Sequence, residues 1–342
     1  MKTAFITGIT GQVGSTLADF LLSNTDWNLI GLMRWQEPLD NIRHLSNQIN
    51  NNKRIKVVYG DLNDSFSIAS ALSENHPDYI FHLAAQSYPK TSFDIPIETL
   101  STNIIGTAHL LEACKTLVYK SNYSPIIHIC SSSEVYGKVK NNSLITEDSP
   151  LSASSPYSLS KIGTDFLGKL YADAYSLKTF ITRMGTHSGP RRSDVFFEST
   201  VAKQIALIES GYKKPILHLG NLDSIRTYQD CRDAVRAYYL LSLEMEKGNI
   251  EYGEHFNIAG DKKFKLSEVV EIFISLSEIK NIKIKTDKNR IRPIDADYQM
   301  FDNSKIKKYI NWEPEYSVEQ MFIDLLNFWR NEIKNNRIPL DR

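Results

Sequence analysis

Tyr157 and Lys161 stand four residues apart in the stretch SPYSLSK, and Ser131, Ser132, Ser133 and Glu134 stand together at the end of an upstream apolar run. On a helix, positions four apart share a face, so the lysine ammonium can lower the tyrosine pKa and also hold a ribose. A tyrosine so activated is a base that takes a hydroxyl proton while a hydride leaves the same carbon. Tyrosine and lysine at this spacing are common by chance; a serine-rich strand end before them and a glycine turn near the start of the chain are what make the combination informative. Taken alone, Glu134 reads equally as a helix-capping or surface carboxylate.

Such side chains need a scaffold to aim them. Residues 3–7 read as a short apolar strand, TGITGQVG follows as a glycine turn, and residues 15–22 read as a helix with Leu17, Leu21 and Leu22 facing inward. Side chains at Gly8, Gly11 and Gly14 would block both the turn and the approach of backbone to a pyrophosphate, whose charge belongs at the helix N-terminus. Thr10, Gln12 and Val13 complete that cofactor-facing turn. Further strand-like runs at 29–33, 55–59, 79–83, 126–130 and 179–182 alternate with helix-length segments such as 97–118 and 158–175. That alternation predicts an α/β fold, a Rossmann-type doubly wound parallel sheet.

After Gly185 the alternation fades into GTHSGPRRSDVFF, which predicts a smaller C-terminal substrate-binding lobe. Segments 227–243 and 254–259 read as a helix and a strand returning to the first domain. The expected division is therefore 1–185 plus about 227–260 for dinucleotide binding, and about 186–226 plus 261–342 for the lobe.

The second strand ends at Met33, Arg34 and Trp35, where a fold of this kind that binds NAD usually carries an acid for the ribose hydroxyls. Arg34 instead offers a cation suited to a 2′-phosphate, which favours NADP over NAD; the alternative is an exposed strand-end arginine. Asp61 and Leu62 are placed to meet the adenine edge, and Leu83, Ala84 and Ala85 are small enough at the next strand end for a ribose to pass.

Bulk properties exclude several classes. The 342 residues carry 40 basic and 40 acidic side chains, so no net field recruits nucleic acid or an anionic membrane. Cys114, Cys130 and Cys231 lie far apart without metal-ligand spacing and read as reduced thiols, with no metal expected. No apolar stretch has the length of a membrane span, and the start does not resemble a signal peptide, so a cytoplasmic location is expected.

Taken with TGITGQVGS, FHLAAQSY, SSSEVYGKV, SPYSLSK, HSGPRR, LGNLDSIRTYQD and RPIDADYQMFDNSKIKKYINWEP, the chain resembles the extended short-chain dehydrogenase/reductase family, and within it the GDP-mannose 4,6-dehydratases. The resemblance runs over nearly the whole length. It implies a catalytic set of Ser132 (a threonine in those dehydratases), Glu134, Tyr157 and Lys161. In the implied cycle Tyr157 takes the C4 hydroxyl proton as hydride passes to NADP, Glu134 removes the C5 proton of the 4-ketone, water leaves from C6, and hydride returns to C6 and a proton to C5. The cofactor ends as it began and is expected to stay tightly bound. The resemblance also implies cofactor contacts from Ser87, Ser131, His187 and Arg192, and substrate contacts from Ser87, Thr186, Glu198, Lys203, Gly220, Arg226 and Arg292. Arginines at 191, 192, 226 and 292 suit a pyrophosphate, because the guanidinium fork pairs bidentately with phosphate oxygens. A homo-oligomer, dimer or tetramer, is implied through the helices carrying Tyr157 and residues 97–118.

Two departures bear on the sugar. THSGPRR carries Thr186 where the family has an asparagine, and Thr200 stands where a lysine is expected. The substrate class implied is therefore a GDP-sugar: GDP-mannose, GDP-N-acetylglucosamine or a GDP-heptose. A 4-epimerase or 4-keto reductase on the same scaffold is the first alternative; it has no need of Glu134. A silent cofactor-binding sensor would need a broken catalytic pair, and here every catalytic position is filled.

Overall fold

The computed structural model describes residues 1–51, 53–121, 123–139, 143–291, 294 and 298–337. In chain order the main elements are β1 (Thr3–Thr7), α1 (Gln12–Asn24), β2 (Asn28–Met33), α2 (Ser46–Asn50), β3 (Ile55–Tyr59), α3 (Ser65–Asn75), β4 (Tyr79–His82), α4 (Thr91–Asp94), α5 (Pro96–Leu100), α6 (Gly106–Lys120), β5 (Ile126–Cys130), α7 (Pro156–Tyr175), β6 (Lys178–Met184) and β7 (Thr186–Ser188). They continue with α8 (Phe197–Glu209), β8 (Ile216–Leu219), β9 (Ile225–Asp230), α9 (Cys231–Glu246), β10 (Glu254–Ile258), β11 (Lys263–Lys265), α10 (Leu266–Leu276), β12 (Lys283–Thr286), α11 (Ser304–Tyr309) and α12 (Val318–Lys334).

Seven strands form one parallel sheet in the order β10-β6-β5-β4-β1-β2-β3. The order reverses direction at β1 and β4, which is where a doubly wound sheet opens a crevice at its strand C-termini. Apolar runs such as Ala4, Phe5 and Ile6 are buried on both faces. Ala4 and Ile6 pack with Leu17, Leu21, Ala234, Tyr238 and Leu241 of α1 and α9. Phe5, Ile80 and Ile127 pack with Ile68, Leu110, Leu111 and Tyr171 of α3, α6 and α7 on the other face.

The smaller lobe holds a β11-β9-β7 sheet and the β12-β8 pair, with α8, α10 and α12 closing a separate core around Ile205, Phe273, Phe322 and Leu325. The chain crosses between the bodies more often than its sequence predicts: Ile306, Ile310 and Trp312 near α11 belong to the core of the large sheet. Residues 227–230 are strand rather than helix. Residues 228–230 pair in parallel with β7, Thr227 pairs antiparallel with Lys263 of β11, and α9 starts only after Asp230, whose carboxylate accepts from the Arg232 amide at 2.8 Å. The expected long helix over 97–118 runs unbroken from α5 to α6 but carries a π-helical stretch, Ser101–Ile105, between them. The extra residue per turn there brings the Asn103 side chain inward, where it accepts from the Gln86 amide at 2.8 Å and donates to Ser160 Oγ of α7 at 2.8 Å. One side chain thereby ties the loop after β4 to the helix that carries Tyr157 and Lys161. Among the described residues no helix is long and apolar enough to cross a membrane.

Candidate active site

The crevice at the strand C-termini is a cleft of about 800 Å³. Its floor begins at the glycine turn: Gly8, Thr10, Gly11, Gln12, Val13 and Gly14 all line it. At Gly14 an added Cβ would lie 2.2 Å from the Gly8 carbonyl oxygen, so only glycine lets α1 begin this close to β1.

Ser132 caps the short 3₁₀ turn Ser133–Tyr136 that follows β5, its Oγ accepting from the Glu134 amide at 3.2 Å. The turn closes at Gly137, whose φ of +58° and whose contact with Ser152 (1.9 Å from an added Cβ) leave no room for a side chain. Glu134 is so held at the cleft wall, half-buried, beside Ser131, Ser132 and Ser133. Tyr157 and Lys161 reach the same cleft from the first turns of α7, which opens with a capping box between Ser155 and Ser158 and with Pro156 at its first position.

The electrostatics differ from the sequence expectation. Lys161 Nζ donates to the Cys130 carbonyl at 2.7 Å, and burial pulls its ammonium pKa down against the opposing effect of Cys130 and Asp165. Tyr157 is pushed above its ordinary value by burial; a hydrogen bond with Ser132 and the charge of Arg192 act in the other direction. The lysine thus anchors β5 to α7, and the groups that lower the tyrosine are Ser132 and Arg192.

On the dinucleotide side, Arg34, Asp61, Leu62, Leu83, Ala84, Ala85 and Ser87 line one continuous wall. Arg34 is half-spoken for: its Nε donates to Glu37 at 2.6 Å. The Leu83 and Ala84 amides both donate to Thr7 Oγ1 at 3.0 Å, which fixes the turn after β4 to β1. His187 lines the cleft with Nδ1 on the Gly185 carbonyl at 3.1 Å, and burial with the neighbouring Arg192 lowers its pKa to about 4, so the ring is neutral near pH 7.

On the other side, Thr186, Arg192, Glu198 and Arg226 line the cleft. Arg192 lies 3.5 Å over the Phe196 ring, donates from Nε to Glu198 at 3.1 Å, and contacts Gln12 Oε1 at 3.5 Å. Lys203 and Gly220 are not brought to this wall. Lys203 is buried against Asp194 at 2.9 Å, and Gly220 lies against the Arg290 backbone, 2.7 Å from an added Cβ. Arg292 lies outside the described residues. Thr200 turns its hydroxyl to the Asp194 carbonyl at 2.7 Å. Arg191 lines the cleft as well and pairs with Asp19 at 2.7 Å.

Several lining residues were missed by sequence reasoning: Glu37 and Asn41 by the turn, Phe197 and Tyr228 by the lobe, and Gln299 from the distant C-terminal segment. An acid three residues past Arg34 was a usable sign for Glu37; the others arrive through long-range packing.

The sequence profile of GDP-mannose 4,6 dehydratase matches residues 5–325, which spans both bodies and every wall of this cleft. The chain belongs to the GDP-mannose 4,6-dehydratase family. A GDP-mannose 4,6-dehydratase from Yersinia enterocolitica is 28% identical over 95% of this chain and 93% of its own length. Among solved structures, the RMD of Pseudomonas aeruginosa complexed with NADPH superposes with a TM-score of 0.78 at 24% identity, covering 97% of this chain and 100% of that one. The dTDP-glucose 4,6-dehydratase of Bacillus anthracis in complex with NAD gives 0.79 at 26% identity, with 98% of each chain covered. The GDP-mannose 4,6-dehydratase family match and these likenesses agree on the doubly wound parallel sheet described above.

Proposed function

We propose that this chain is a GDP-sugar 4,6-dehydratase, converting GDP-mannose, GDP-N-acetylglucosamine or a GDP-heptose to its 4-keto-6-deoxy form with a tightly held nicotinamide dinucleotide, NADP in preference to NAD. The observation that carries this reading is the convergence of Glu134, Ser132, Tyr157 and Lys161 on one cleft that begins at the glycine turn. Relatives named for the same reaction support the GDP-sugar, and solved neighbours holding NADPH and NAD support the dinucleotide.

A nicotinamide dinucleotide held by the glycine turn and the wall from Arg34 to Ser87 would supply reversible hydride exchange with the sugar carbons. Tyr157 takes the C4 hydroxyl proton, aided by Ser132 on the same oxygen. The ketone at C4 acidifies C5, whose proton passes to the Glu134 carboxylate and on to the departing C6 hydroxyl, so that water leaves; C5 then regains a proton, balancing the one Tyr157 took from the C4 hydroxyl, as hydride is delivered to C6. Lys161 holds the ribose edge from α7, and the α1 N-terminus with the glycine turn holds the pyrophosphate. The half-exposed carboxylate is what an epimerase would lack a use for. Changing Glu134→Gln should lower dehydration at least about 100-fold while GDP and dinucleotide binding persist. Unchanged dehydration by mass spectrometry would remove Glu134 from the catalytic set, whereas a parent that isomerises the sugar without loss of water would replace the dehydratase reading with an epimerase.

A homo-oligomer belongs to this proposal. Leu159, Phe166 and Leu170 are about half exposed along one face of α7, with Ile105 and Tyr119 exposed on the neighbouring helical segment. A cytoplasmic setting fits a reaction on a nucleotide-activated sugar.

A further inference from the structure

Gln299 is 2% exposed and lines the active-site cleft, yet its Nε2 has no hydrogen-bond partner among the described residues. A buried amide nitrogen with two unmet N–H groups is an expensive exception that calls for a reason. The backbone around it is well held: the Gln299 amide donates to the Ile225 carbonyl at 3.1 Å, and Tyr298 forms a parallel bridge with Ile225. Gln299 is therefore fixed one residue across from Arg226, which lines the same cleft with 8% of its surface exposed. The acid on this side of the cleft, Glu198, is already paired with Arg192 at 3.1 Å. A buried guanidinium and a buried carboxamide donor side by side make a wall that offers donors to a ligand rich in acceptors and poor in donors.

We propose that Gln299 is a substrate-binding residue whose carboxamide donates to the diphosphate oxygens of the nucleotide sugar, beside Arg226. This rests on the nucleotide-sugar reading above and adds to it a contact from the C-terminal segment. Phosphate oxygens are acceptors only, so they satisfy an N–H donor without presenting a clashing proton.

The test is calorimetric binding of GDP to the full chain, its Gln299→Leu and its Gln299→Glu variants, with melting temperatures of the free proteins. Gln299→Leu keeps the buried bulk without the donor. It should bind GDP at least fivefold more weakly, with a melting temperature equal to or above that of the parent. Gln299→Glu should bind at least tenfold more weakly, because it sets a carboxylate against the diphosphate. GDP binding by the leucine variant within twofold of the parent would overturn the proposal, as would a melting temperature several degrees lower, which would make the amide a folding element. Tighter GDP binding by the glutamate variant would place the contact on ribose or base donors and overturn it equally. A parent that binds UDP or dTDP in place of GDP would remove the guanine reading alone, and the same three proteins would then be compared on that nucleotide. A parent that binds no nucleoside diphosphate would sink both.

Discussion

Arg34 lines the cleft just after β2, with its Nε donating to Glu37 at 2.6 Å, and on the proposed reading this is where the adenosine ribose of the dinucleotide would lie. The pairing raises the guanidinium pKa through that hydrogen bond and leaves the cation permanently charged but partly neutralised. Because the Arg34 side chain is 62% exposed, the pair itself is worth little and can open for a stronger partner. A 2′-phosphate is such a partner, whereas a 2′-hydroxyl would be better served by Glu37. Dinucleotide titrations should therefore show Arg34→Asp weakening NADP by about tenfold or more, the scale of one charge-assisted contact, and Glu37→Gln shifting preference further toward NADP. Unchanged NADP affinity in Arg34→Asp would remove the case for a 2′-phosphate site. The same scale shows what a sequence can and cannot disclose. Tyr157, Lys161 and Glu134 were legible because a helix repeat and a strand end fix their relation locally. Gln299, Tyr228 and Phe197 were not, since their place at the cleft depends on how the lobe folds back. Lys203 shows the converse: a residue in a suggestive position that the fold spends on Asp194.

Strands β1 and β4 are joined at the cleft by a hydrogen-bond relay with a defined polarity. Thr7 Oγ1 accepts from two amides, so its own proton goes to His82 Nδ1 at 3.0 Å, and His82 Nε2–H donates to Thr107 Oγ1, which donates onward to the Asn103 carbonyl. A second proton on His82 would face Thr7 with no lone pair to receive it. Burial accordingly lowers His82 to about 3, lowers His187 to about 4, and holds His128 well below its usual value. The unfolded chain takes up protons at these rings from about pH 6.5 downward while the folded chain does not. Stability is therefore full above that pH and falls as pH drops toward the folded values, by about 2 kcal/mol per ring at pH 5. Thermal melts should show the midpoint dropping between pH 7 and 5, and His82→Gln, which keeps one acceptor and one donor without a titrating proton, should shallow that drop. A flat midpoint over this range would contradict the relay. Elements were readable from the sequence to the extent that apolar period marked them: β1, β3 and β5 fall where expected. The π-turn at Ser101–Ile105 and the strand over 227–230 were not readable, because an inward polar Asn103 and pairing with the three-residue β7 leave no periodic trace.

At the scale of the molecule, the parallel sheet supplies a rigid floor and the smaller lobe, threaded through by a chain that crosses back at Ile306 and Trp312, supplies the far wall. The apolar stripe of Leu159, Phe166 and Leu170 lies on the outer face of the helix whose inner face holds Tyr157 and Lys161, so association there would stiffen the catalytic helix. Light scattering after size exclusion should report an oligomer, and Phe166→Asp should yield monomers with reduced turnover; a clean monomer in the parent would contradict this. The central claim concerns the reaction itself. Purified protein, given GDP-mannose or GDP-N-acetylglucosamine separately and no added cofactor, should yield a product lighter by one water from at least one of them, because in the proposed cycle hydride would return to the sugar and the dinucleotide would be retained. Substrates unchanged in mass, even after NADP is added, with a new isomer separable by chromatography, would contradict dehydration and assign the cleft to epimerisation.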